Sequence, residues 1–167
     1  MNIRRAQPQD AETLWQIYIQ AVRTFARSHY TPAQIAAWEK LVTPQAYAKS
    51  YDGQLVYVAE DADGVLMGFA HLDMGTGSIE AVYVHPTYGR HGVGSRLLQA
   101  LEEAACQAGL TELEMEASLN AVAFYTFNGF TAHEQRVHPV HGAEYACVYM
   151  TKVLGANAKR ERLTANA

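Results

Sequence analysis

The sequence predicts a single-domain α/β fold in which a mixed β-sheet of about six to seven strands carries helices on both faces. Short runs of β-branched and aromatic residues alternate along the chain with longer segments of helical periodicity. The 167 residues are 49% apolar, which suffices for one core. No repeat or linker interrupts this pattern, so we predict one domain over residues 1–154 and a polar tail over residues 155–167.

The first half of the chain predicts three strands and three helical segments. Apolar residues recur at helical spacing after Asp10, which is a predicted N-cap. Pro32 and Pro44 can each occupy the first turn of a helix. The turn at 61–64, Asp-Ala-Asp-Gly, is typical of a hairpin. The predicted elements are a strand at 2–6, helices that begin near 10, 32 and 44, and strands at 55–59 and 66–72.

The second half alternates strands and helices. A strand around Glu80 leads into a glycine-rich loop, and a helix with apolar periodicity begins near Val93 and ends at Gly109. A second helix is predicted from Ser118, its N-cap, to Gly129, its stop residue. The remaining predicted strands are 112–116, 130–137 and 145–153, the last two as an antiparallel pair.

The run from His85 to Leu98 joins a strand to a helix and is the strongest functional signal. Unpaired N–H groups and the helix dipole make such a junction an anion site. Gly92 and Gly94 let a ligand approach the backbone, and Arg90 and Arg96 add positive charge. Phosphate is therefore the expected ligand. Neither a P-loop, which needs Lys before Ser or Thr, nor the dinucleotide fingerprint fits the spacing.

Two segments resemble the GCN5-related N-acetyltransferase (GNAT) superfamily. The glycine loop is similar to its pyrophosphate motif, Arg/Gln-x-x-Gly-x-Gly/Ala. Residues 118–130 are similar to its motif Asn-x-x-Ala-x-x-Phe-Tyr-x-x-x-Gly-Phe. The resemblance extends over nearly the whole chain. Segments 29–38, 116–118 and 135–137 further resemble a small bacterial, YafP-like branch.

The resemblance implies acetyl-CoA as the donor co-substrate. In this superfamily the pantetheine arm pairs with a strand, and N–H groups at the helix start hold the pyrophosphate. Two positions depart from the pattern: Gly89 replaces the usual Arg or Gln, and Ser118 the usual Asn, with Asn120 two residues further on. The cofactor-binding residues so implied are Val82, Tyr83, Val84, Arg90, His91, Gly92, Val93, Gly94, Ser95 and Asn120.

The resemblance also suggests catalytic roles. Tyr125 occupies the position of a phenol that reaches the cofactor sulfur, and with an ordinary pKa of about 10 it carries a proton to donate. The attacking amine must lose a proton, and Glu80 is the candidate base. By the period of two it shares a face with the valines of the cofactor strand. Glu114, Glu116 or a water are alternatives for this role.

The predicted reaction is direct attack of a primary amine on the acetyl thioester. By resemblance, His29, Tyr30 and Trp38 line the acceptor site as an aromatic pocket with a titratable group. No motif distinguishes a small-molecule acceptor from a protein amine. The alternative is a non-catalytic acyl-CoA-binding or sensing module that acts through a protein partner. Such a module would need neither Tyr125 nor Glu80.

Composition argues against several other classes. The net charge of −4, with no basic run before the tail, disfavours nucleic-acid binding. No apolar segment reaches the roughly 20 residues of a membrane span. Arg4 and Arg5 are followed by polar residues and not by a signal-peptide core, so we expect a cytoplasmic protein. Members of this superfamily often form dimers, so the resemblance is consistent with a homodimer.

The sequence predicts no metal site. Cys106 and Cys147 are expected to be small buried residues and not a bridge or a metal pair. His133, His138 and His141 lack the tight spacing of metal ligands.

Overall fold

The computed structural model describes residues 1–49 and 54–155. Except for Gly155, the predicted tail at 155–167 lies outside the described residues, so the domain boundary stays a prediction. The helices and strands are β1 (Asn2–Arg5), α1 (Ala11–Phe25), α2 (Pro32–Glu39), α3 (Pro44–Lys49), β2 (Gln54–Glu60), β3 (Leu66–Asp73), β4 (Ser78–Val84), α4 (Val93–Gln107), β5 (Glu112–Ser118), α5 (Val122–Phe127), β6 (Thr131–Val140) and β7 (Ala143–Val153).

The seven strands that the structure describes form one mixed sheet, in the order β1-β2-β3-β4-β5-β7-β6. β4 and β5 run parallel, and every other neighbouring pair is antiparallel. Parallel neighbours need a crossover, which α4 supplies between β4 and β5. The predicted mixed sheet and its C-terminal antiparallel pair are confirmed.

Helices cover both faces of the sheet, as the sequence predicts. On one face α4 buries Leu97, Leu98 and Leu101 in a cluster that we call the α4-side core. On the other face α1 buries Leu14 and Tyr18 in the α1-side core. These positions recur at helical spacing, so each helix presents one apolar stripe to the sheet. Among the described helices, none combines the length and apolar character that crossing a membrane requires.

A β-bulge at Glu80 changes which residues of β4 face each core. Ile79 pairs with Leu72 of β3, and the next β4 residue with a partner is Ala81. Glu80 is therefore an extra residue in the strand. As a result Ile79 lies in the α4-side core together with the valines of β4. The bulge interrupts the alternation of side chains at Glu80, so the period of two no longer supports its predicted shared face with these valines.

The second predicted helix begins later than its sequence indicates. Ser118 is the last residue of β5, because β5 keeps pairing with β7 as far as Cys147, and it precedes a 3-10 turn to which its side chain makes no capping hydrogen bond. A short 3-10 turn (Leu119–Ala121) follows, and α5 begins only at Val122. The predicted stop is confirmed, since Gly129 has a left-handed φ of 88° just after the helix end.

Asp10 joins β1 to α1 and is the one buried charged residue among those described. Arg4 donates from Nη1 to Oδ2 at 2.8 Å and from Nη2 to Oδ1 at 3.1 Å. The N–H of Gln7 donates to Oδ2 at 2.8 Å. Asp10 occupies the predicted N-cap position of α1, but these bonds occupy its carboxylate, which makes no capping hydrogen bond to that helix. Burial alone would raise the pKa of Asp10, but the bonds from Arg4 and Gln7 outweigh it and lower the pKa.

Replacing Asp10 should destabilise the fold in a pH-dependent way. Asp10→Asn is expected to lower the free energy of unfolding by about 2 kcal/mol at neutral pH, because Arg4 loses one of its two carboxylate partners, Asp10 and Glu60. A carboxylate whose folded pKa is lowered stabilises above its unfolded pKa of about 3.9, and this is lost as the pH falls below that value. Urea unfolding at a series of pH values should show the difference closing below about pH 4. Asp63→Asn, in an exposed turn, is the control, and an equal loss there would contradict the assignment.

Candidate active site

β4 and β5 separate soon after they meet. Their register contains one pair, Ser78 with Glu114, beside a bond of 3.0 Å from the N–H of Glu114 to the C=O of Gly77. Among the described residues no further ladder joins β4 to β5. A cleft of about 1190 Å³ opens between the diverging strands. The open side of β4 can therefore pair with an extended ligand that carries amide groups.

The loop between β4 and α4 forms one end of this cleft. The N–H of Arg96 bonds to the C=O of Gly92 at 3.1 Å and is the first to donate within α4. In the described part of the chain, the N–H groups of residues 90–95 have no protein acceptor. They lie at the positive end of the helix dipole, which is the arrangement that favours an anion.

The backbone of this loop is constrained at three positions. Arg90 has a φ of 63° and Gly92 a φ of 77°. The left-handed conformation costs a non-glycine residue roughly 1–2 kcal/mol, so Arg90 holds strain next to the N–H groups. Gly94 acts differently: a Cβ there would lie 3.1 Å from Cζ of Phe124. Glycine thus lets α5 close over the start of α4.

Asn120 presents an unpaired acceptor at the cleft. Its Oδ1 is buried and has no hydrogen-bond partner among the described residues, and the residue lines the cleft. Tyr30 holds the turn that contains Asn120 in place. Its hydroxyl accepts the N–H of Leu119 at 2.8 Å and donates to the C=O of Ala146 at 2.6 Å. A buried acceptor without a partner is costly, so this oxygen suits an N–H group of a ligand.

Aromatic side chains line the other end of the cleft. Tyr30 and Tyr145 stack with centroids 4.9 Å apart, and Trp38 packs edge-on against both. Of the three residues predicted for the acceptor site, only Trp38 lines the cleft. Tyr30 is buried beneath it, and His29 is exposed outside the lining. The side chain of Tyr83 also lines the cleft, whereas the sequence suggested a role for its backbone alone.

Tyr125 lies on α5, lines the cleft and is 7% exposed. Its ring packs edge-on against Phe124 and Phe130. Burial raises the pKa of Tyr125 above its ordinary value, and the nearby Tyr83 raises it further. The phenol therefore stays protonated at neutral pH and can donate a hydrogen bond to a developing anion.

Glu80 lies where two cavities meet. It is exposed and lines both the cleft and a smaller pocket of about 390 Å³, which Glu114 and Glu116 also line. His71 lies close enough to Glu80 for the two side chains to interact electrostatically. Burial lowers the pKa of His71, although Glu80 and Asp73 act in the opposite direction. The imidazole is thus neutral near pH 7.

The cleft brings together most of the predicted site residues. Those that line it are Trp38, Glu80, Val82, Tyr83, Val84, Arg90, Gly92, Val93, Gly94, Ser95, Asn120 and Tyr125. His29, Tyr30 and His91 lie outside its lining. The sequence analysis missed Tyr145, which strand pairing carries to the cleft from a distant part of the chain. No motif signals it.

The fold and the cleft agree with the family that the motifs resemble. Residues 26–153 match the model of the family described as "Acetyltransferase (GNAT) domain". The chain belongs to this family and is an acyl-CoA-dependent N-acetyltransferase.

Individual relatives are similar over nearly their full length. The uncharacterized N-acetyltransferase YafP of Escherichia coli (strain K12) is 33% identical over 160 residues, covering 90% of this chain and 94% of YafP. A GCN5-related N-acetyltransferase from Rhodopseudomonas palustris is 32% identical with a TM-score of 0.86, covering 92% of this chain and 95% of that one. The PaiA N-acetyltransferase from Thermoplasma acidophilum, solved with coenzyme A, shares the fold at 23% identity and a TM-score of 0.72, covering 91% and 98%. The predicted likeness to the YafP branch is confirmed.

Two matched glycine substitutions can separate the effect of the loop on ligand binding from the effect of backbone strain on stability. Gly92 and Gly64 have φ values of +77° and +80°, and a Cβ at either would meet nothing within 4 Å. Gly92→Ala and Gly64→Ala should each lower the free energy of unfolding by about 1 kcal/mol. Only Gly92→Ala should also weaken acetyl-CoA binding, by roughly tenfold, because the N–H groups lose their orientation. Calorimetric titration measures this, and equal affinities for the two variants would contradict the anion-site assignment.

Proposed function

We propose that this protein transfers the acetyl group of acetyl-CoA to a primary amine by direct attack, without an acyl-enzyme. The observation that carries the proposal is that Tyr125, Glu80 and residues 90–95 border one cleft, with only His91 outside its lining. Acetyl-CoA supplies an activated acetyl thioester. The PaiA structure, which has the same fold and contains coenzyme A, supports this class of donor.

Three features fit the donor. The free N–H groups of residues 90–95 suit a diphosphate, with the exposed Arg90 adding charge. The open side of β4 can pair with the amides of a pantetheine arm, and Asn120 Oδ1 lacks the N–H that such an arm carries. Gly89 is not part of this cradle, because its own N–H bonds to the C=O of Pro86 at 3.1 Å. Its departure from the family motif therefore leaves the N–H groups in place.

Neither cysteine suits an acyl-enzyme. Cys147 is 1% exposed, and burial, followed by the charge of Glu116, raises the pKa of its thiol to about 11. A protonated, buried thiol is a poor nucleophile. Cys106 is exposed on α4, outside the cleft lining, so the expectation that it is buried is wrong. Its position faces away from the apolar stripe of the helix. Direct attack by the amine is the route that these positions favour.

Tyr125 donates its proton, or a hydrogen bond, to the leaving thiolate. Burial favours the neutral phenol, so the donor is present at every working pH. Glu80 accepts a proton from the incoming ammonium, directly or through a water. Its exposure at the junction of the two cavities gives solvent a path by which that proton leaves.

The acceptor amine binds where aromatic faces and carboxylates converge. Trp38 and Tyr145 supply ring faces that attract a cation. Glu80, Glu114 and Glu116 supply negative charge at the junction with the smaller pocket. The sensing-module alternative gains nothing from the comparisons, in which the family and the relatives reported above are acetyltransferases. A screen of amines for thiol release from acetyl-CoA tests the proposed reaction, and no turnover with any amine would contradict it.

Removing the phenol of Tyr125 should affect turnover and leave donor binding intact. Tyr125→Phe is expected to lower kcat by roughly 10²-fold or more, because the leaving thiolate loses its donor. The Kd for acetyl-CoA should stay within about twofold, since the ring and its packing are kept. Tyr57→Phe, on β2 and outside the cleft lining, is the matched control. An unchanged kcat in Tyr125→Phe would assign the acid to a water or another group.

Removing the carboxylate of Glu80 should produce a pH-dependent loss. Glu80→Gln is expected to lower kcat/KM by roughly 10²-fold near neutral pH. The loss should shrink as the pH approaches the amine's own pKa, about 10 for an alkyl amine, because the neutral amine no longer needs a base. Glu103→Gln, exposed on α4, controls for charge alone. If Glu114→Gln alone reproduces the loss, the base is Glu114.

A further inference from the structure

Three strands bring three different metal-ligating groups together beside the smaller pocket, which Glu116 also lines. Glu116 on β5, His138 on β6 and Cys147 on β7 have their ligand atoms within 4.8 Å of one another. The register explains this meeting, because Cys147 pairs with Ser118 on one side and Arg136 on the other. Glu116 and His138 each lie two residues from those partners, so all three side chains share one face of the sheet.

The contacts of these groups point to a missing partner. His138 Nε2 lies 2.7 Å from Glu116 Oε2. The same nitrogen is shielded from solvent and has no hydrogen-bond partner among the described residues. Its approach to the carboxylate therefore lacks hydrogen-bond geometry. The Cys147 thiol lies 3.8 Å from the C=O of Arg136 and also interacts with the carboxylate of Glu116. Two lone-pair donors held side by side next to a thiol are the arrangement that a cation relieves.

We infer that Glu116, His138 and Cys147 form a binding site for a transition-metal dication of the Zn²⁺ type. Carboxylate, imidazole and thiolate are all zinc ligands, and three of them leave a fourth position for water. At zinc bond lengths, tetrahedral ligand atoms lie roughly 3.3–3.7 Å apart. The distances of 2.7 Å and at most 4.8 Å bracket this range, so side-chain rotation suffices. The metal replaces the thiol proton, which leaves to solvent.

Arg136 is the group that opposes the cation. Its Nη1 lies 3.2 Å from Glu116 Oε1, so the other carboxylate oxygen is the one available to a metal. Glu134 holds the same guanidinium at 2.5 Å, and the ring of Tyr149 lies 4.0 Å beneath it. These contacts keep Arg136 in place without Glu116. Its positive charge weakens metal binding, and two negative ligands, the carboxylate and the thiolate, outweigh it.

Titration of the tag-free protein with Co²⁺, a spectroscopic stand-in for Zn²⁺, tests the site. The expected result is a near-ultraviolet thiolate-to-metal band that saturates at one equivalent and is displaced by Zn²⁺. Cys147→Ser should abolish the band, and Cys106→Ser, which removes the exposed cysteine, should keep it. No band in the parent protein, or a band that follows Cys106, would overturn the site.

Further variants guard against misfolding as an explanation. His138→Gln alters a side chain that is 45% exposed, so the fold should tolerate it, while Co²⁺ affinity should fall at least tenfold. Arg136→Gln should tighten Co²⁺ binding several-fold, a gain that damage to the fold does not produce. His133→Gln, on the same strand and bonded to Thr151, is the matched histidine control and should leave the affinity unchanged. Equal affinities for His138→Gln and His133→Gln would contradict the assignment.

Discussion

The separation of β4 from β5 is the constraint on which the rest of the site depends. Parallel neighbours require a crossover, and α4 provides it. Because the strands pair only at Ser78 and Glu114, the gap between them widens toward the end where α4 begins. The divergence of the two strands therefore exposes the edge of β4, forms the cleft and places the N-terminus of α4 at its opening. The bulge at Glu80 lies on the same strand, and Glu80 lines the cleft.

The site is assembled from polar groups that the fold leaves without partners. The N–H groups of residues 90–95 and the Oδ1 of Asn120 have none among the described residues. Arg90 adds backbone strain at the same place. Such groups lower stability unless a ligand satisfies them, and two separate hydrophobic cores supply the stability that tolerates them. In the proposed function, binding of the donor satisfies these groups.

Environment separates the two proposed proton-transfer roles. Tyr125 is enclosed by aromatic rings, and burial keeps its phenol neutral. Glu80 stands exposed at the junction of two cavities, beside a neutral His71. Two titratable groups in contrasting surroundings are suited to opposite tasks on one reaction coordinate.

The sequence by itself determined the fold class, the order of the elements, the glycine loop and the family. Each of these follows from local patterns: the periodicity of apolar residues, the turn residues and the spacing of motifs. Only the tertiary structure revealed the bulge at Glu80, because a bulge is a property of strand pairing. Only the tertiary structure showed that the carboxylate of Asp10 is bonded to Arg4. It also showed that Ser118 pairs with β7 as part of a strand. Tyr145 and the Glu116–His138–Cys147 group were also invisible in sequence. Their members meet only across strands, and cross-strand register is not encoded at any fixed spacing along the chain.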